Sequence, residues 1–264
     1  MKRLASFTKR KLKKCLPFSR KVDFIICGTQ KGGTTALDEY LRGHPDICMA
    51  NIKEVHYFNR ERHFSTTPDY SEYHSYFSPR KHHKLMGEAT PLYLYWQKAP
   101  KRIFEYNPQI KLIVLLRNPI KRAYSHWNME RSRNRESFSF WDAIRDEKAR
   151  CQEALPFQHR IYSYVDRGFY SEQLRRLWAC FPREQALVIK SEDLKTQPGE
   201  ILDRICDFLR IEKKLSKVEP KIVHSRSYNE PIGKKEKDYL RSIYKMEIAQ
   251  LEKELNWDCS DWLN

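Results

Sequence analysis

Residues Gly28-Thr29-Gln30-Lys31-Gly32-Gly33-Thr34-Thr35 gather three glycines, three hydroxyls and one cation into a single octapeptide. The apolar run Phe24-Ile25-Ile26-Cys27 precedes them, and Thr34 to Arg42 follows with helical character. A loop that opens a helix turns its backbone N–H groups and the positive end of the helix dipole toward one point, which predicts a site for phosphate oxygens. Glycines at 28, 32 and 33 permit the tight turn and the close approach of backbone to ligand that such a site needs. Thr34 and Thr35 add hydroxyl donors or cap the helix. The spacing departs from the nucleoside triphosphatase loop GxxxxGK[ST]: Thr34 stands where that pattern has lysine, and the cation has moved to Lys31.

A second set begins at Arg117, directly after the apolar run Leu112-Ile113-Val114-Leu115-Leu116. Pro119 is placed to start a helix, and about two turns later Ser125 returns to the same side. Arg117 and Ser125 are therefore expected to grip one phosphate. A triphosphatase tends to place an Asp at the end of such a strand to help hold Mg²⁺, whereas an arginine suits direct pairing to the anion without a metal. A third set, Lys53-Glu54-Val55-His56, puts a carboxylate and an imidazole two residues apart. On spacing alone these residues suit a surface ion pair between Glu54 and Lys53 and a merely packed His56. His82-His83 has no motif partner and reads as surface.

These sets need a scaffold, and the pattern around them alternates apolar runs with amphipathic stretches, as βαβ units and a parallel sheet do. Strands are expected at Phe24 to Cys27, Leu112 to Leu116 and Leu187 to Lys190. Helices are expected at Thr34 to Arg42, Ile120 to Arg131, Phe169 to Phe181, Pro198 to Leu209 and Lys235 to Leu255. Gly43-His44-Pro45 should end the first of these. Tyr93, Tyr95 and Trp96 read as core or cleft wall. The fold class implied is α/β, a P-loop-like parallel sheet flanked by helices in three layers.

In the loop Thr29 to Thr35 and the run Arg117 to Trp127, the chain resembles the sulfotransferases that use 3′-phosphoadenosine 5′-phosphosulfate (PAPS), whose donor motifs occur in this order. The segments Lys53 to Phe58, Gly87-Glu88-Ala89-Thr90-Pro91 and Tyr170-Ser171-Glu172-Gln173-Leu174 resemble the heparan-sulfate branch and its bacterial relatives. The resemblance covers about residues 22 to 264 and is weak between 132 and 160. It implies transfer of a sulfuryl group from PAPS to a hydroxyl of a carbohydrate-type acceptor by in-line displacement, with no metal. Implied donor contacts are Thr29, Gln30, Lys31, Gly32, Gly33, Thr34, Thr35, Arg117 and Ser125. Arg226 and Tyr228, in the loosely matching segment His224 to Asn229, would close over the 3′-phosphate. Glu54 would be the general base, Lys31 would follow charge onto the leaving oxygens, and His56 would be a further polar group at the acceptor. Two positions depart: Asn59 stands where heparan-type 3-O-sulfotransferases commonly carry an acidic residue, and Ala89 where they commonly carry lysine.

With 264 residues and 40% hydrophobic content, the chain is long and apolar enough for one sizeable core. A single domain over 22–264 is expected behind a basic arm, residues 1–21, that holds no acidic residue. The arm lacks the apolar core of a secretory signal and suits peripheral contact with an anionic membrane face. No stretch reaches the roughly 18 to 20 apolar residues that a spanning helix needs. Seven scattered cysteines without a CxxC pair or zinc spacing fit a reducing compartment, and the expectation is cytoplasmic. A net charge of +16 favours an anionic partner. It leaves two alternatives: a P-loop nucleotide or small-molecule kinase, against which Lys31 and Arg117 argue, and a nucleic-acid-binding protein, for which no motif is visible.

Overall fold

The computed structural model describes residues 20–215 and 231–263. Five parallel strands, β1 (Phe24–Gly28), β2 (Ile47–Met49), β3 (Leu85–Ala89), β4 (Lys111–Leu116) and β5 (Ala186–Lys190), form one sheet in the order β2-β3-β1-β4-β5. The helices in chain order are α1 (Thr34–Arg42), α2 (Ser71–His74), α3 (Ala99–Tyr106), α4 (Pro119–Ser132), α5 (Phe140–Arg145) and α6 (Glu147–Cys151), then α7 (Tyr170–Trp178), α8 (Ser191–Thr196), α9 (Pro198–Leu209) and α10 (Lys234–Leu255). Strand alternation sorts the core into two faces. Ile25, Cys27, Leu112, Val114 and Leu116 pack with α3, α4, α7 and α10, whereas Phe24, Ile26, Ile113 and Leu115 pack with α1 and α9. This is the three-layer α/β/α arrangement expected from the sequence.

The differences have local causes. The helix expected over Phe169 to Phe181 stops at Trp178, because the amides of Cys180 and Phe181 both turn back to the Leu177 carbonyl and Pro182 disfavours helix at the residue before it. Gly43 ends α1 without the left-handed conformation typical of such glycines: its φ is −75°, and its N–H reaches the carbonyls of Glu39 and Tyr40. Strand β3, Leu-Met-Gly-Glu-Ala, has little intrinsic β preference and is made a strand by pairing on both edges, with β1 and β2. Tyr93, Tyr95 and Trp96 are all buried, as core or cleft wall should be. Among the described residues, no helix is long and apolar enough to cross a membrane.

The stretch Ser163–Gly168 has little regular structure, and buried charge fixes it in place. Arg167 donates from Nε to Ser163 Oγ (2.8 Å), from Nη2 to the Arg160 carbonyl (2.8 Å) and from Nη1 to the side-chain oxygen of Gln30. Glu147, from α6, accepts the N–H groups of Val165 (2.5 Å) and Asp166 (2.8 Å). Burial pushes its carboxyl up to about 8, against the pull of those two hydrogen bonds. A folded-state value above the usual 4.5 means that the folded protein holds this proton more tightly than the unfolded chain does. The associated stability is present in full below pH 4.5 and is lost as pH rises through about 8. Glu147→Gln does not titrate, so its melting temperature should fall less than the wild type's over that interval. Scanning calorimetry across the range checks this, and parallel curves for the two proteins would refute it.

Candidate active site

The connection from β1 leads toward β2 and β3 and that from β4 toward β5, so the crevice between the carboxyl ends of β1 and β4 is where the sheet changes direction. Open α/β sheets bind ligands at such a crevice. The glycine-rich loop occupies it. Thr29 is tied to the sheet by two bonds to the Leu115 carbonyl, from N–H and from Oγ1, both 2.8 Å. Gly32 N–H closes the turn onto the Thr29 carbonyl at 2.9 Å. A Cβ on Gly32 would lie 2.7 Å from the Leu115 carbonyl oxygen, and Gly33 enters α1 with φ 92°, so both positions require glycine. Thr34 is buried and Thr35 half-buried at the start of α1, whose first turn carries no acidic residue. A helix N-terminus without a side-chain cap, beneath a crowded glycine turn and with no acidic residue in its first turn, fits a compact anion.

Arg117 leaves the end of β4 and its Nη1 donates to the Lys31 carbonyl at 3.0 Å, which joins the two expected donor sets directly. Lys31 itself has a left-handed backbone, φ 70°. Asn118 caps α4 by accepting from the N–H groups of Ile120 and Lys121, and Ser125 lies buried further along that helix. Burial drives His126 well below the ordinary imidazole range, and Arg167, Arg122 and Lys31 add to the effect, so a cationic field surrounds this neutral ring. The Gln30 side chain, one of the expected donor contacts, accepts from Arg167 and so ties the loop to the Ser163–Gly168 stretch. Arg226 and Tyr228 lie outside the described residues, as does the basic arm up to residue 19.

Glu54 and His56 belong to a segment joined to the end of β3, the strand on the other side of β1. Glu54 N–H donates to the Ala89 carbonyl at 2.9 Å and His56 N–H to Thr90 Oγ1 at 3.4 Å. Both residues have left-handed backbone, φ 63° and 58°. Side chains at such positions cost about 1–3 kcal/mol each and persist where the surroundings over-determine them, as at functional sites. Glu54 Oε1 accepts from Lys53 Nζ at 2.9 Å and Oε2 faces His56 Nε2 at 3.2 Å. Burial alone would raise the carboxyl, but the His56 hydrogen bond and the Lys53 ammonium outweigh it and hold it at about 2. The ion pair with Lys53 is thus present together with the His56 contact, and the two act on one carboxylate.

Asn59, which the sequence marked only as a departure from the resemblance, and Arg160, which it did not mark, complete this group. Asn59 is fully buried. Its amide satisfies its surroundings in one orientation: the nitrogen donates to the His56 carbonyl (3.1 Å) and to Nδ1 (3.2 Å), and the oxygen accepts from Arg160 Nη1 (3.0 Å). With Nδ1 an acceptor, Nε2 carries the His56 proton and presents it to Glu54. Arg160 also lies over the Trp96 ring, 4.6 Å from its centroid, in a cleft lined by Trp96, Phe157 and Gln158. Among the described residues, no three His, Cys, Asp or Glu side chains cluster as metal ligands would.

A family model described as "Sulfotransferase domain" matches residues 21–255. The membrane-associated sulfotransferase kil1 of Dictyostelium discoideum is 26% identical, covering 99% of this chain and 72% of its own length. Human heparan sulfate glucosamine 3-O-sulfotransferase 6 is 32% identical over 72% of this chain, which spans 52% of that relative. The crystal structure of a sulfotransferase from Alicyclobacillus acidocaldarius superposes with a TM-score of 0.79 at 26% identity, covering 93% of this chain and all of the other. The domain match therefore takes in the glycine-rich loop, Arg117 and the Glu54–His56 segment together, and on that ground the chain belongs to the sulfotransferase family.

Proposed function

We propose that the chain moves the sulfuryl group of PAPS to a hydroxyl of a saccharide by in-line displacement. The observation that carries this reading is the meeting of three groups at one sheet edge: the Thr29–Thr35 loop after β1, Arg117 after β4, and the Glu54–His56 segment against the end of β3. Loop amides and Lys31 face the 5′-phosphosulfate, and Arg117 with Ser125 faces the 3′-phosphate. Sulfuryl transfer, like phosphoryl transfer, is driven by alignment of attacking and leaving oxygens and by charge stabilisation. Glu54 takes the acceptor proton, while Lys31 follows negative charge onto the leaving phosphate. The cleft of Trp96, Phe157 and Arg160 beside Asn59 supports a sugar-sized acceptor, since aromatic and guanidinium groups suit a polar ring. The acid-free basic arm supports contact with an anionic membrane face.

The product 3′-phosphoadenosine 5′-phosphate should raise the melting temperature without added Mg²⁺, because Lys31 and Arg117 supply the counter-charge. No shift at millimolar nucleotide would remove the donor assignment. Arg117→Ala should weaken that binding by roughly 2 to 3 kcal/mol against about 1 for Ser125→Ala, since it removes a charge-assisted contact. Calorimetric titration separates these outcomes, and equal, negligible effects would make the second set structural.

Glu54→Gln keeps shape and removes the basic oxygen, so turnover on the acceptor that a glycan panel identifies should fall by roughly 10² to 10⁴ with donor affinity unchanged. Lys31→Ala should lower both, because it touches the donor throughout. A Glu54→Gln enzyme with more than about a tenth of wild-type turnover would assign the base elsewhere.

A further inference from the structure

The segment carrying Glu54 and His56 is neither helix nor strand, and it keeps one geometry only if its N–H groups are tied to something rigid. Three consecutive N–H groups are tied to two side-chain hydroxyls. His56 donates to Thr90 Oγ1 at 3.4 Å, and Tyr57 and Phe58 donate to the Tyr93 hydroxyl at 2.9 and 3.4 Å. A hydroxyl that accepts from amides must turn its own proton elsewhere. Thr90 turns it to Glu88 Oε2 at 2.6 Å, Tyr73 donates to Oε1 at 2.8 Å, and the Tyr93 hydroxyl lies beside the same carboxyl and favours its charged form. Glu88 is fully buried in β3.

We propose that Glu88 is a positioning residue for the transfer reaction, orienting the Thr90 and Tyr93 hydroxyls that hold the backbone of His56, Tyr57 and Phe58, and through them the Glu54–His56 pair. The proposal rests on the reading of Glu54 and His56 as the proton-handling pair. A carboxyl in this place is otherwise an expensive choice: burial pushes it up, and even with the hydroxyls of Thr90, Tyr73 and Tyr93 and the nearby His56 pulling it back it stands at about 7. A core-filling residue would need none of these partners. The ionised carboxylate can accept from every hydroxyl around it, whereas a carboxamide presents an N–H₂ to one of them. Glu88→Gln would therefore force a hydroxyl to reverse and surrender an amide of the segment.

Amide exchange followed by mass spectrometry on the full chain with bound 3′-phosphoadenosine 5′-phosphate tests this without needing an acceptor. In Glu88→Gln, Thr90→Ala and Tyr93→Phe, exchange in the peptide spanning 54–59 should quicken by about ten-fold while β1 and β4 keep their protection. Thr90→Ser should restore it. Tyr73→Phe also touches the carboxyl but holds no amide, so it should leave that peptide unchanged. Nucleotide affinity should be unaltered, and kcat on the identified acceptor should fall with little change in KM. Uniform acceleration over the whole sheet, or an unchanged 54–59 peptide in Thr90→Ala and Tyr93→Phe, would overturn the proposal even if Glu88→Gln failed to fold. Loss of the acid–base reading itself would be seen separately, as full turnover in Glu54→Gln.

Discussion

The pairing of β1 between β3 and β4 is the constraint from which the rest of the site follows. A parallel strand delivers its chain to the same edge as its neighbours, so a loop leaving β1 emerges between whatever leaves β3 and β4. The loop after β1 is shaped for a compact anion, Arg117 arrives from β4 and clamps the Lys31 carbonyl, and the end of β3 offers the Ala89 carbonyl and Thr90 hydroxyl that hold Glu54 and His56. The candidate donor groups and the candidate proton-handling groups are thus fixed relative to one another by strand pairing.

Rigidity matters because two of the active segments are locally unfavourable. Lys31, Glu54 and His56 all sit in left-handed backbone with full side chains. Each is held from outside: Lys31 by the Arg117 guanidinium on its carbonyl, Glu54 by the β3 backbone, His56 by Thr90. Arg167 performs a similar service for Gln30, reaching from a stretch that is itself bolted down by Glu147. Strain at the reacting groups is offset by buried polar contacts one layer further in, which is where charge is costly to place unless it is fully partnered.

That second layer explains what was legible in the sequence and what was not. The loop, β4 and helices α1, α4 and α9 could be read because apolar runs, glycines and prolines signal them locally. Strand β3 could not, since a Gly and a Glu in five residues look nothing like a strand until two neighbours pair with them. Glu54 and His56 could be marked by type and resemblance, and their surface ion-pair reading could not be dismissed from spacing. The carboxylate does hold Lys53, and the His56 contact on its other oxygen is what the spacing did not show. Asn59 stood out only as a departure from the resemblance, since the burial of its amide is revealed by the fold alone, and Arg160 gave no signal because it comes from the stretch where resemblance is weakest.

Asn59 also divides the roles within the pair. Because its amide donates to Nδ1, His56 offers its single proton from Nε2 and has no free nitrogen with which to take another. His56 is then a donor to the carboxylate, and of the two groups Glu54 alone is left to accept a proton, as the proposed role requires. An acidic residue at this position, as resemblance implies for heparan-type 3-O-sulfotransferases, would accept from Nδ1–H instead and take from Nε2 the proton it now turns to Glu54. The amide therefore fixes the tautomer that pairs the ring with the carboxylate. Lys53 holds the other oxygen of Glu54 and Arg160 holds Asn59, and the His56 and Lys53 contacts together keep the Glu54 carboxyl at about 2.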